Sequence, residues 1–319
     1  MGDPSGRQAS HRDDNRRGLT SFSSRVGAFP NSQTILTRWR RLSRAIIIAR
    51  LIMKTVSPRI AETFATLRKQ NRIALMPFVP AGYPDLETTA AVLPALEAGG
   101  ANLIEVGFPF SDPIADGPTI QAAFTAALRN KLKVADVLRT IAGVRDQVTV
   151  PIIAMISYSI VFKYGLDRFL TDAKSAGFDG LIVPDLPPPE AQRICDKIWA
   201  AGLDTVLLVA PTSDPARRQQ IADLSSGFVY YLSVSGITGE RATLPPELAA
   251  GVAEMRKISP NPVCVGFGIS NSSHVKQLHA VADGAIVGSA LVKKMTERLS
   301  DGPAAIAEAA RGYCRQLLA

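Results

Sequence analysis

Ile73-Ala74-Leu75-Met76-Pro77-Phe78-Val79-Pro80 carries no charge and no alternating polar position. A strand with one wet face alternates apolar and polar residues, whereas a parallel strand covered on both faces reads as a continuous apolar run. Seven more such runs follow, at residues 103–109, 151–157, 180–185, 204–210, 228–234, 262–268 and 284–290. Helix-like segments separate them, among them residues 86–98, 189–201, 215–224 and 246–257. Alternating strand and helix predicts a parallel sheet with right-handed crossovers. Eight such units over about 265 residues fit a closed α/β (β/α)8 TIM barrel better than an open doubly wound sheet. Residues 59–70 precede the first strand with Ile60, Phe64 and Leu67 on one stripe, the pattern of a helix that plugs the barrel bottom. Two helical pieces, residues 118–128 and 134–144, follow strand two, so that connection is elaborated.

Charge is unevenly spread. Residues 1–52 hold ten Arg, no Lys and three acids, a formal +7, against +8 for the whole chain. The remainder, residues 53–319, is therefore nearly neutral, and a nucleic-acid role for it is unsupported. Cys195, Cys264 and Cys314 are odd in number and far apart, as expected of structural thiols in a reducing compartment. Only His274 and His279 lie beyond the extension, in one polar helix where surface positions are expected. A histidine base or a histidine-rich metal site is not expected, and no metal is assigned.

Residues 1–52 read as a disordered basic extension and residues 53–319 as the barrel catalytic domain. The apolar run Ala45-Ile46-Ile47-Ile48 is too short to span a bilayer, which needs about 20 apolar residues. Two readings of the extension stand. It is a transit peptide, which would place the protein in a plastid, or translation starts at Met53 and the protein is cytoplasmic. The second is preferred, because Asp13-Asp14 is unusual in a transit peptide.

In a barrel of this kind the chemistry sits at the C-terminal ends of the strands. Glu105 lies inside the apolar run Leu103-Ile104-Glu105-Val106-Gly107. A carboxylate buried there without a partner is costly, so either a structural cation or a catalytic role must account for it. The catalytic reading is a general acid/base whose pKa is raised by apolar surroundings. Asp116 follows in a Pro- and Gly-rich loop able to fold over a ligand; alone, an Asp before Gly117 is equally a turn residue. Gly266-Phe267-Gly268-Ile269-Ser270 and Val287-Gly288-Ser289 each open into a helix after strands seven and eight. Backbone N–H groups and helix N-termini there suit a phosphate, although each glycine pair alone also fits a tight turn. Small residues from Ser233 to Arg241 after strand six have the make-up of a mobile lid.

Pro109-Phe110-Ser111-Asp112-Pro113-Ile114-Ala115-Asp116-Gly117-Pro118 closely resembles the signature of the tryptophan synthase alpha chain family. The resemblance continues in order through Pro77-Phe78-Val79, Gly236-Ile237-Thr238-Gly239, Gly266-Phe267-Gly268-Ile269-Ser270 and Gly288-Ser289, and leaves out residues 1–52. It implies a lyase of tryptophan biosynthesis that cleaves indole-3-glycerol phosphate to indole and glyceraldehyde 3-phosphate by a retro-aldol step. By that resemblance Glu105 does the acid/base work and Asp116 accepts the indole N–H. Phe78 and Tyr230 line the indole pocket, and Phe267 is a further substrate-binding residue. Gly239, Gly268, Gly288 and Ser289 hold the phosphate, and Thr238 closes the lid toward Asp116. The chain would need no cofactor of its own. Its implied partner is a beta chain carrying pyridoxal phosphate, in an alpha-beta-beta-alpha assembly, with Asp112 at the contact.

The chain departs from the family pattern at Ser157-Tyr158-Ser159-Ile160, at Val234 and at Pro80. The first of these falls on the loop that faces the beta chain in the family. The alternative activity is a free-standing indole-releasing lyase with no beta partner. An isomerase of a phosphorylated sugar amine would lack the Glu105 and Asp116 pair, and both residues argue against a mere activator of the partner. A chain beginning at Met53 is expected to keep the activity and thermal midpoint of the full chain. Circular dichroism melting and an indole-release assay check this, and a large drop in either would show that residues 1–52 contribute to the barrel.

Overall fold

Ile60, Phe64 and Leu67 form the buried stripe of helix α1, Pro58–Lys69, in the computed structural model, which describes residues 57–112, 116–232, 246–266 and 268–319. Ser57 Oγ donates to Asp179 Oδ1 at 3.1 Å, and Asp179 also accepts from Arg145 Nη2 and from the Ile152 N–H, each at 3.0 Å. Ile60 Cδ1 reaches the bare backbone of Gly180 and Gly227, where an added Cβ would meet it at 3.4 Å. The Phe64 ring packs on Phe228 with centroids 6.0 Å apart. The helix closes the bottom of the barrel, as its periodicity predicts.

Eight strands run β1 Ala74–Pro80, β2 Ile104–Gly107, β3 Ile152–Met155, β4 Gly180–Ile182, β5 Asp204–Val209, β6 Val229–Leu232, β7 Val263–Gly266 and β8 Gly284–Val287. All pair in parallel in chain order, and β8 returns to β1 to close the barrel. Between and beyond them lie α2 Leu86–Ala98, α3 Pro118–Arg129, α4 Val134–Val144, α5 Tyr158–Tyr164, α6 Leu166–Ala176, α7 Ala191–Ala200, α8 Pro215–Leu224, α9 Pro246–Ile258, α10 Ser272–His279, α11 Ser289–Thr296 and α12 Gly302–Leu318. Val79, Val106, Ala154 and Val265 face outward into the layer shared with the helices. Met76, Leu103, Ile153, Ile182, Val206, Phe228, Tyr230, Cys264 and Ile286 face inward and meet the α1 stripe. Along β2 the inward parity passes through Leu103, then Glu105, then Gly107.

The apolar runs overshoot the strands. Residues 103–109 contain only the four-residue ladder Ile104–Gly107, and residues 180–185 only Gly180–Ile182. Pro109 and Pro184 have no N–H to extend a ladder, so pairing stops before them. The helix expected from residue 189 starts at Ala191, after a turn in which Glu190 N–H donates to Pro187 O at 3.0 Å. All three cysteines are buried, and none forms a disulfide. His274 corrects the surface expectation, because it is only 4% exposed: it lies in the first turn of α10 with its ring turned inward toward the preceding loop. His279 is exposed as expected. No helix of the described residues is long and apolar enough to cross a membrane.

Candidate active site

Glu105 pairs in register with Phe78 of β1 and Ile153 of β3. It is fully buried, and among the described residues neither carboxyl oxygen has a hydrogen-bond partner. The structural alternative of a Glu bonded to backbone or to a cation is therefore absent here. Burial pushes its pKa well above the ordinary carboxylate value, since the charged form would stand in an apolar interior with nothing to compensate it. The barrel therefore favours the protonated form of this group.

Two glycines make room for the rings beside it. A methyl group at Gly107 would fall 2.3 Å from Phe78 Cζ, and one at Gly266 would fall 2.2 Å from Tyr230 Oη. Each ring reaches over a glycine of a neighbouring strand where only hydrogen fits. Tyr230 is buried, and its phenol pKa is raised chiefly by that burial and then by the nearby charges of Glu105, Asp116 and Cys264. Its hydroxyl is thus held neutral within electrostatic reach of both carboxyl groups. Phe78 meets Phe124 of α3 edge-on at 6.3 Å, which fixes the ring from behind. Met155 and Leu208 complete the inner wall, half-buried, and no reading of the sequence singled them out. Counting by two from Ile153 would have found Met155.

Asp116 stands at the end of the loop that leaves β2, one residue before the N-cap of α3. Burial raises its pKa to about 6. Burial thus raises both carboxyl groups, and Asp116, which is less deeply buried, keeps the more readily ionised carboxyl of the two. Asp112 is not part of this group. It is exposed, with Ser111 Oγ donating to its Oδ2 at 2.8 Å.

The glycines and helix start that the sequence assigns to a phosphate lie on the β7–β8 side. Gly288 caps α11, and its Cα lies against Phe78, where an added methyl group would meet Cδ1 at 3.7 Å. Ser289 opens α11, and a methyl group at Gly117 would sit 4.0 Å from its Oγ. The end of the β2 loop and the start of α11 thus meet across the barrel mouth. After β7, Gly268 has φ +73°, a left-handed conformation that glycine adopts without strain. Asn271 then caps α10, accepting from His274 N–H at 3.0 Å. Thr238, Gly239 and Phe267, with the lid, lie outside the described residues.

At the departure after strand three, Ser157 caps α5, and its hydroxyl donates to Asp185 Oδ2 at 2.7 Å. Asp185 Oδ1 accepts from Tyr158 N–H at 2.7 Å, so serine and aspartate join the ends of β3 and β4. Phe162 of α5 projects from this rim, 73% exposed.

A family model described as tryptophan synthase alpha chain matches residues 64–317. A tryptophan synthase alpha chain of Geotalea uraniireducens is 48% identical over 243 residues, which is 76% of this chain and 91% of the relative. One from Prochlorococcus marinus is 46% identical over 259 residues, 81% of this chain and 93% of the relative. Among solved structures, tryptophan synthase from M. tuberculosis in an aminoacrylate-bound form superposes with a TM-score of 0.70 at 38% identity, covering 80% of this chain and 99% of that one. A tryptophan synthase alpha-subunit from Pyrococcus furiosus gives 0.71 at 36% identity, covering 77% and 97%. With a barrel of this register and a family match spanning most of its length, the chain belongs to the tryptophan synthase alpha chain family.

Proposed function

We propose that the protein cleaves indole-3-glycerol phosphate to indole and glyceraldehyde 3-phosphate, the alpha reaction of tryptophan synthase in tryptophan biosynthesis. The observation that carries this reading is the pair of carboxyl groups at the barrel mouth near Phe78 and Tyr230: Glu105 fully buried with no hydrogen-bond partner among the described residues, its pKa raised by burial, and Asp116 less buried, its pKa raised to about 6. The indole ring lies between Phe78 and Tyr230, with Phe267 a further substrate contact. The phosphate is held by Gly288 and Ser289 at the start of α11, with Gly268 and Gly239.

Protonated Glu105 donates to indole C3, leaving a positive indolenine. Asp116, accepting the ring N–H, stabilises that charge. The hydroxyl on the carbon attached to C3 then gives up its proton to the Glu105 carboxylate and becomes the aldehyde. The carbon–carbon bond breaks, its electron pair returns to the indole, and Glu105 regains its proton. Thr238 closes the lid over Asp116 and keeps water out. The released indole passes to a beta chain that carries pyridoxal phosphate, in an alpha-beta-beta-alpha assembly, and residues 1–52 stand outside this machinery.

Glu105→Gln is expected to lower indole release by about 10²–10⁴-fold, since an amide cannot shuttle a proton. It is also expected to leave the thermal midpoint unchanged or raised. The raised pKa means that folding holds a proton on Glu105 that the unfolded chain releases above its ordinary value of 4.5. Stability is therefore lost as pH rises from that value toward the folded pKa, and the amide removes this loss. Stopped-time indole assays and melting at pH 6 and 8 check both points, and near-normal turnover by a folded variant removes Glu105 from the reaction.

Asp112 lies on the same loop as Asp116 but exposed, where the beta chain would meet it. Asp112→Ala is expected to weaken stimulation by the beta chain while leaving the slow basal cleavage nearly intact. Both rates, measured at saturating beta chain and without it, decide this. A parallel fall in the two would mean that Asp112 only shapes its turn.

A further inference from the structure

We propose that Gln121 is a positioning residue for the catalytic carboxylate: its side-chain amide, donating to the Asp116 carbonyl, sets the direction in which the Asp116 side chain enters the site. The inference rests on the alpha reaction as the function of this site.

Gln121 Nε2 donates to Asp116 O at 2.8 Å, from the second turn of α3 back to the residue before its cap. Counted along the helix, Gly117 is the N-cap and Pro118 the first helical residue, so Asp116 and Gln121 occupy the two positions that an apolar pair joins in a hydrophobic staple. Here a polar pair joins them instead. The two residues between Asp116 and the helix body cannot do this work. Gly117 has no side chain to cap with, and Pro118 has no N–H. The N–H groups of Ile120 and Gln121 are both given to Gly117 O at 3.0 Å, so the helix backbone does not reach Asp116.

The torsions around this point show what the bond controls. Pro118 confines Gly117 to extended backbone, and Gly117 has ψ 165°. The φ of Gly117 and the ψ of Asp116 remain, flanking the one peptide group whose carbonyl Gln121 holds. Glycine makes rotation at the first of these cheap. The ψ of Asp116 sets the angle at which its Cα–Cβ bond leaves α3, and thereby where its carboxylate points relative to Glu105 and Tyr230. A hydrogen bond from the rigid body of α3 fixes that angle, whereas water at the same carbonyl would not. Displacements of about 1 Å at a reacting group can cost about 10²-fold in rate.

Gln121→Met keeps the length and helix propensity of the side chain and removes the donor; Gln121→Ala removes both reach and donor. In each variant kcat for indole release is expected to fall about 10- to 100-fold with KM and thermal midpoint nearly unchanged. The Asp116 carboxyl, followed by carbon-13 NMR in the substrate-free protein, is expected to titrate below its midpoint of about 6 as the loosened side chain reaches water. Unchanged kcat, or an unchanged Asp116 titration, overturns the proposal, as does a rate loss that tracks a lowered thermal midpoint. Should the unmutated protein release no indole, the functional reading fails on its own. The titration then still decides whether Gln121 holds Asp116.

Discussion

Glu105 stands on β2 level with Phe78 and Ile153, inside a closed ring of strands where no hydrogen-bond partner reaches its oxygens. The desolvation of that one carboxyl group is the constraint on which the site depends. It can be held only because the parallel barrel brings apolar side chains to it from several strands and α1 shuts the far end. That burial raises the pKa of the group and so favours its protonated form, in place of a hydrogen-bond partner. A proton retained at neutral pH is what a general acid needs, so in the proposed reaction the burial that disfavours the anion is also the source of the chemistry.

The rest of the mouth is built by contrast with Glu105. Asp116 sits at a loop end where water reaches part of it, and its pKa rises only to about 6. The Phe78 and Tyr230 rings lie over Gly107 and Gly266, positions that admit no side chain. Phe78 also faces Gly288, so one ring touches both the catalytic strand and the turn that opens α11. The start of α11 thus approaches both Phe78 and the end of the β2 loop at Gly117.

Much of this was legible in the sequence. Continuous apolar runs gave eight parallel strands because both faces of each are covered, and α2, α4 and α8 have the bounds that their periodicity predicts. Glu105 was conspicuous as a lone charge in such a run. What remained hidden depended on tertiary neighbours. Nothing in one dimension distinguishes a buried Glu paired with a cation from one with no partner. His274 looked like a surface residue of a polar helix, but the helix turns it inward. Gln121 reads as a helix-surface residue until its position relative to Pro118 is counted and its amide is found on Asp116 O. Strand ends were overdrawn because proline is apolar by composition yet cannot continue a ladder.

The protonation state of Glu105 in the folded, substrate-free protein tests the account most directly. Difference infrared spectroscopy of the unmutated protein against Glu105→Gln isolates its carboxyl band. The account predicts a protonated-acid C=O band at neutral pH that gives way to carboxylate only well above the ordinary Glu range. A carboxylate band at neutral pH, titrating where an exposed glutamate does, would contradict it.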